Sequence, residues 1–445
     1  MSGNTSKPWI PETASPEIKF YNANVVDVEA GDIIQNALVH IKGGRIVEVS
    51  SGDAASPLSL PANAVDLKGQ YICPGLIDCH VHMTATPGSA SLKDMFFASP
   101  NSIAYRSAFV AREMLLRGFT TARDTGGADY ALRDAIAEGL IMGPRLFIAG
   151  KALSQTGGHG DFRAIYQGPE HKCCGGHTPD LARVCNGVPE CLEATRDELR
   201  QGADFIKIMC GGGVATPSDA LDMLQFTAEE IRAITTTAQQ SKTYVTAHAY
   251  TVEAIRHAVD NGVRGIEHAN FINEETAAYC TKLDVVFTPT LVTYHGMSKP
   301  PFDKFLDDFS QAKNRQVLAS GLEALSILQK AGATICYGSD LLAGLHPLQN
   351  QEFSIRSAVL SAKDILKSAT VNAARYVGME GQLGCIKEGA LADMLILASN
   401  PLEDITVLDR MQEHLVALLK DGRIVFKKSD WLCVDPLYNP CHVQA

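Results

Sequence analysis

The run Pro74-Gly75-Leu76-Ile77-Asp78-Cys79-His80-Val81-His82 carries an apolar strand pattern into two imidazoles spaced two residues apart. Successive side chains of an extended strand alternate faces, so Asp78, His80 and His82 project to one side while Ile77, Cys79 and Val81 project to the other. Two neutral imidazoles placed this way can reach one divalent ion. Alone the pattern is weak, because close histidines also occur as ordinary polar residues. Its meaning is set by what the rest of the chain puts beside it.

Downstream, short apolar runs alternate with longer amphipathic stretches. Strand patterns occupy 76–82, 120–124, 146–150, 205–209, 244–248, 265–268, 285–289 and 334–340, and helical patterns follow over 102–117, 131–138, 192–201, 228–240, 252–261, 274–282, 311–330 and 363–377. Repeated β/α units of this length over about 300 residues predict an α/β chain built as a (β/α)8 TIM barrel, whose functional groups collect at the C-terminal ends of the strands. A doubly wound open sheet is the alternative and needs a different strand order. The two ends of the chain read as β-rich. Gly43-Gly44 favours a tight hairpin, and Leu419-Lys420-Asp421-Gly422-Arg423-Ile424-Val425 repeats the pattern with Asp-Gly at the turn. The expected organisation is a small β-sandwich formed by 1–73 and 380–445 around a barrel over 74–379.

Several barrel strands end in, or carry near their ends, a residue able to bind metal: His80 and His82 on the first, Lys207 on the fourth, His248 on the fifth, His268 on the sixth and Asp340 on the eighth. Each has an ordinary alternative. His248 and His268 read equally as core histidines, Asp340 as a helix cap, and Lys207 as a buried lysine paired with a carboxylate. A barrel brings all of these positions to one rim, and their joint occurrence favours a metal site. An ammonium has no lone pair for a cation, but burial lowers a lysine pKa, and the neutral amine can combine with carbon dioxide to give an anionic two-oxygen carbamate.

The formal net charge of -11 argues against a phosphate-backbone binder, which needs a basic surface. No run approaches the roughly 20 apolar residues of a membrane span, and the polar, proline-containing start is unlike a signal peptide, so the chain reads as soluble and cytoplasmic as written, or secreted if a leader has been trimmed. Of twelve cysteines, Cys73, Cys79, Cys210, Cys280 and Cys336 sit in apolar segments, a reduced-compartment pattern, whereas Cys173, Cys174, Cys185 and Cys191 cluster in a Gly-rich loop where they can pair in an oxidising one.

With its ligand-type residues at these strand ends, the Pro74-Gly75-Leu76-Ile77-Asp78 lead-in and Gly389-Ala390-Leu391-Ala392-Asp393-Met394 near its end, the chain resembles the amidohydrolase superfamily over nearly its whole length. That resemblance implies two zinc ions, one held by His80, His82, carboxylated Lys207 and Asp340, the second by the same carbamate, His248 and His268, with a hydroxide between them. It implies that Asp340 acts as general base and then general acid. Asp78 is either a partner of the ligands or a solvated or capping residue.

The segments around His159, Lys207 and His248 look like the metal-dependent Xaa-Pro dipeptidase and carboxypeptidase-like group, which includes ochratoxin-cleaving enzymes. The implied substrates are N-acyl amino acids, dipeptides or ochratoxin A, each with a free carboxylate beside the cleaved amide. Tyr250 lies two positions beyond His248 and faces the same site if the strand continues, so its hydroxyl, with His159, is a candidate for the substrate carboxylate. The Gly-rich loop over 151–189 is long enough to be a lid. His171, Cys173, Cys174 and His177 within it fit no standard zinc knuckle, and His295 and His346 follow strands seven and eight without further support. Two other readings stand beside this one: an imidazolonepropionase-like ring hydrolase or deaminase, which generally lacks the strand-four lysine, and a non-catalytic scaffold, which typically loses ligands. The resemblance also implies a homo-oligomer, an octamer being one form, with no nucleic-acid or membrane partner.

Overall fold

The computed structural model describes residues 15–51, 64–89, 91–95, 98–163, 181–216, 219–428 and 432–438, together with Lys7 and Trp9. Eight parallel strands make a ring: Leu76–Val81, Phe119–Asp124, Arg145–Ile148, Ile206–Met209, Val245–Thr251, Gly265–Phe271, Val286–Thr288 and Thr334–Ile335. The third strand is interrupted. Gly150, at φ 68°, turns the backbone out of the sheet, and the chain resumes as Ala152–Ser154, where Leu153 pairs with Ile208 of the fourth strand. The first and eighth strands close the ring through Cys79 N–H to Tyr337 O at 2.8 Å and Asp340 N–H to His80 O at 2.8 Å. The open-sheet alternative is thereby excluded.

Most helices fall where the apolar spacing places them. Ala228–Gln240 opens with a capping box in which Thr227 and Glu230 satisfy each other's backbone N–H groups, and Glu274–Lys282 is capped by Asn273. Three departures bear on the site. The eighth strand, expected to run to Asp340, ends at Ile335; Asp340 itself has φ 52°, which no strand accommodates. The helix expected over 363–377 is two short helices, Ala362–Ser368 and Val371–Tyr376. An additional helix, Leu291–Met297, follows the seventh strand.

The ends of the chain share one eight-stranded sheet in the order Arg423–Lys427, Leu415–Lys420, Met394–Leu397, Tyr71–Pro74, Ile18–Asp27, Asp32–Lys42, Arg45–Ser50, with Val65–Asp66 beside Ile18–Asp27. Both expected hairpins form. Gly43 and Gly44 lie at φ 59° and 78°, Asp421 and Gly422 at φ 50° and 72°, the paired positive angles of a two-residue turn between right-twisting strands. Ala392 joins the two turns: its N–H donates to Gly44 O (2.9 Å) and its carbonyl accepts from Gly422 N–H (3.0 Å). Phe20, Val39, Ile41, Ile72, Met394, Ile396 and Leu419 fill a core distinct from that of the ring. Arg145, at the start of the third ring strand, ties ring to sheet through Asp393 Oδ2 at 2.7 Å and through Asp421.

The five cysteines read as core are buried free thiols. Cys185 and Cys191 are also buried and free, with sulfurs 3.8 Å apart, whereas His171, Cys173, Cys174 and His177 lie outside the described residues. Among the described residues, no helix is long and apolar enough to cross a membrane.

Candidate metal centre and active site

His80, His82 and Asp340 meet at the C-terminal mouth of the ring. His80 Nε2 lies 3.3 Å and His82 Nε2 3.2 Å from the same oxygen, Asp340 Oδ1. The other nitrogen of each ring faces an acceptor: His80 Nδ1 is 2.8 Å from Glu267 Oε2 and His82 Nδ1 is 2.8 Å from Gly126 O. Those acceptors place the protons on Nδ1 and leave lone pairs on Nε2. Two nitrogen lone pairs and a carboxylate oxygen then converge, which is repulsive unless a cation lies between them. Donor atoms around a tetrahedral zinc ion, at bond lengths near 2.0–2.1 Å, are roughly 3.3 Å apart. His80, His268 and Asp340 offer ligand atoms within 4.8 Å of one another. The donor set therefore fits a divalent ion.

The second half of the cluster lies against the first. The His268 ring is 5.0 Å from that of His80 and 4.6 Å from that of His248. Outer contacts again fix one nitrogen: His268 Nδ1 is 2.7 Å from Thr290 Oγ1 and 3.0 Å from the Tyr294 hydroxyl, and His248 Nε2 is 3.1 Å from Gly212 O. His268 sits at φ 77° and Ala269 at φ 59°, so the sixth strand breaks its own geometry where it presents the imidazole. Such backbone costs roughly 1–3 kcal/mol per residue and persists where the surroundings over-determine it. Lys207 is buried in the wall of the ring.

Electrostatics follow from burial and crowding. Burial draws the Lys207 amine down to about 8, against the opposing pull of Glu267 and Asp340. Burial, with neighbouring imidazoles and Lys207, holds His248 well below the usual histidine range, and it does the same to His268, where Asp340 opposes it. Asp340 goes the other way: burial favours its neutral form, but His80 and its neighbours outweigh this and keep the carboxyl well below its ordinary value.

Sequence reasoning missed the groups that hold this cluster. Glu267 is wholly buried and joins three strands, accepting from Arg123 Nη2 at 2.8 Å and Thr246 Oγ1 at 2.5 Å besides facing His80. Arg123, equally buried, lies between the rings of Phe205 and Tyr376, 4.3 Å from each centroid. Asp124 accepts from Met83, Gly126 and Ala128 N–H groups and so shapes the turn whose Gly126 carbonyl receives His82. A Cβ at Gly126 would lie 2.6 Å from Leu181 O, so that turn requires glycine. Asp78 is not solvated: it accepts from Ser339 Oγ (2.6 Å) and Gln349 Nε2 (2.8 Å), fixing the loop that presents Asp340. Strand alternation singles out Asp78 as a candidate partner of the ligands; for the others the only advance signal is a carboxylate next to a candidate ligand, as in Glu267-His268.

Both candidate substrate residues reach the cluster. The Tyr250 ring is 4.7 Å from that of His248, and its hydroxyl is 2.9 Å from that of Tyr294. His159 stacks on His248 with ring centroids 4.2 Å apart. His346 instead points its Nε2 at Ala85 O, 2.9 Å away, and holds the loop after the first strand, while His295 contacts Lys299.

The chain's likeness to known proteins agrees with this geometry. A model of the amidohydrolase family matches residues 71–426. The ochratoxinase of Aspergillus niger is 29% identical over 407 residues, covering 89% of this chain and 85% of its own, and the A. niger ochratoxinase crystal structure superposes with a TM-score of 0.81. A prolidase crystallised with N-methylphosphonate-L-proline is 42% identical, with a TM-score of 0.88 over 93% of this chain and 100% of that one. A Xaa-Pro dipeptidase with methionine bound in its active site is 28% identical, with a TM-score of 0.81 over 92% and 99% of the two chains.

Proposed function

The chain belongs to the amidohydrolase family and is a metal-dependent amide hydrolase, and from that premise we propose that it uses two zinc ions to cleave the amide of substrates whose leaving amino acid keeps a free carboxylate. Those substrates are N-acyl amino acids and dipeptides, Xaa-Pro dipeptides among them, and ochratoxin A, which would give ochratoxin alpha and phenylalanine. The observation that carries this reading is the convergence of His80 Nε2, His82 Nε2 and Asp340 Oδ1 with their protons turned outward. Relatives named ochratoxinase and prolidase support the substrate class.

In this reading His80, His82, Lys207 and Asp340 would hold one ion, and Lys207, His248 and His268 the other. Paired divalent ions lower the pKa of water toward neutrality and polarise a carbonyl. Lys207 would serve in both sets only as its carbamate. Its amine, drawn toward neutrality by burial, would attack carbon dioxide: the N–C bond forms as one C=O π bond opens onto oxygen, and one N–H proton is released to water, giving the carbamate. Asp340, kept ionised by its neighbours, accepts the proton of the attacking water and passes it to the leaving nitrogen. Tyr250 and His159 stand beside the fifth-strand histidine, where they can donate to the substrate's carboxylate and set the amide in place.

Chelator-treated protein is expected to lose hydrolysis and regain it as about two metal equivalents return. Lys207→Ala should fall by at least about 100-fold and hold less metal in elemental analysis. Full activity without metal would sink the proposal. Binding of one equivalent, with turnover of a cyclic amidine or aminopurine instead of an acyl amino acid, would favour the ring-hydrolase or deaminase reading. We also read the chain as a homo-oligomer, supported by the exposed Tyr105 and Phe109 on the helix Pro100–Leu116.

A further inference from the structure

The loop after the fourth strand runs beside the candidate site, with Gly212 O against His248. One buried cation from elsewhere in the ring holds this loop. Lys313, on the helix Asp308–Lys330, donates to Gly213 O, to Thr216 O at 2.6 Å and to Asp219 O at 3.0 Å, and lies 3.5 Å from Asp219 Oδ1. Lys313 is 4% exposed and Asp219 is fully buried. An ammonium removed from water costs several kcal/mol unless its three donors are matched, and here each has an oxygen. The helix after strand seven is thus pinned to the loop after strand four, two elements that are not neighbours in the ring.

The other Asp219 oxygen works on the opposite side. Oδ2 accepts from Gly213 N–H at 2.9 Å and Gln225 Nε2 at 3.2 Å and lies 3.3 Å from His159 Nδ1. Thr216 Oγ1 donates to His159 O at 2.5 Å and is 3.1 Å from Nδ1. A carboxylate opposite Nδ1 keeps a proton there and aims Nε2 away from Asp219. Packing against His248 fixes the plane of the ring. His159 lies in a glycine-rich loop, yet these contacts orient its ring.

We propose that Lys313 and Asp219 are positioning residues which, acting through His159, set the preference for substrates with a free carboxylate. This rests on the reading above, in which His159 receives that carboxylate. The test compares kcat/KM for the best N-acyl amino acid with that for its C-terminal amide, in the metal-loaded wild type and in Lys313→Met, Asp219→Asn, His159→Ala and Lys313→Met/His159→Ala. The wild type should prefer the acid, and each single variant should lose about tenfold or more of that preference, chiefly through KM. In Lys313→Met and Asp219→Asn, metal content and turnover of the amide should stay within a few-fold of wild type. The double variant should be no less selective than His159→Ala, because both changes remove one interaction. If Lys313→Met fails to fold, the near-isosteric Asp219→Asn carries the test. Retained acid preference in both Lys313→Met and Asp219→Asn, with loss only in His159→Ala, overturns the proposal alone. A wild type indifferent to acid or amide overturns the carboxylate reading and this inference with it.

Discussion

Arg123, Glu267 and His80 form a line of fully buried side chains across the ring. Burial alone would raise the Glu267 carboxyl; Arg123, with His80 and Lys207, more than reverses this and holds it well below its usual value. Glu267→Gln keeps the shape but leaves the Arg123 guanidinium buried beside a neutral amide. We expect it to cost about 3–5 kcal/mol of unfolding free energy in a denaturant titration, the range for breaking one side of a buried pair, and to weaken metal retention about tenfold or more on dialysis. Unchanged stability and retention would mean that Glu267 only fills space. The candidate ligands were legible in sequence because they lie on ring strands or just beyond them, positions that pattern reading can assign. Glu267 and Arg123 were not. Their significance lies in pairing across the ring between strands 144 positions apart, and alternation gives a residue's face without its partner.

At the level of elements, the strand and helix pattern was readable wherever local spacing decides the outcome, as in the two hairpins and the helices Ala228–Gln240 and Glu274–Lys282. It was least readable beside the site. The third strand breaks at Gly150, the sixth carries an imidazole at positive φ, and the eighth ends five residues before Asp340. In each place the local conformation serves a contact made elsewhere in the ring, so propensity is overruled by tertiary structure. The loop after strand four depends on a glycine for the same reason: a Cβ at Gly213 would stand 2.0 Å from His159 Cε1 and 2.2 Å from Nδ1. His159 is wedged between His248 and Asp219 and has nowhere to retreat. Gly213→Ala should therefore raise KM about tenfold or more and lower Tm by a few degrees, read by steady-state kinetics beside a thermal melt. Wild-type KM in that variant would show the His159 loop to be more yielding than its packing implies.

For the whole molecule, the proposed self-association rests on an exposed aromatic pair among the described residues. Tyr105 is 79% exposed and Phe109 51%, four residues apart and hence on one side of the helix Pro100–Leu116. Light scattering is expected to give a mass that is a multiple of 47.8 kDa, and Tyr105→Lys/Phe109→Lys to reduce it. A wild-type mass of one chain would dispose of the oligomer reading.

The middle of the shared sheet is the pairing of Tyr71–Pro74 with Met394–Leu397, and this sets an order of events during synthesis. The strands near the start leave the ribosome with one edge bare, and the strand that covers it has not yet been made. At translation rates of 5–20 residues per second the wait is on the order of 15–65 s. Ile18–Asp27 pairs with one side of Tyr71–Pro74, but until then the edge that faces Met394–Leu397 stays uncovered, and it feeds directly into the strand that bears His80 and leads to His82. The segment that leads into the candidate metal site is thus secured from behind only late, and a nascent chain released early would offer that edge to any other unpaired strand.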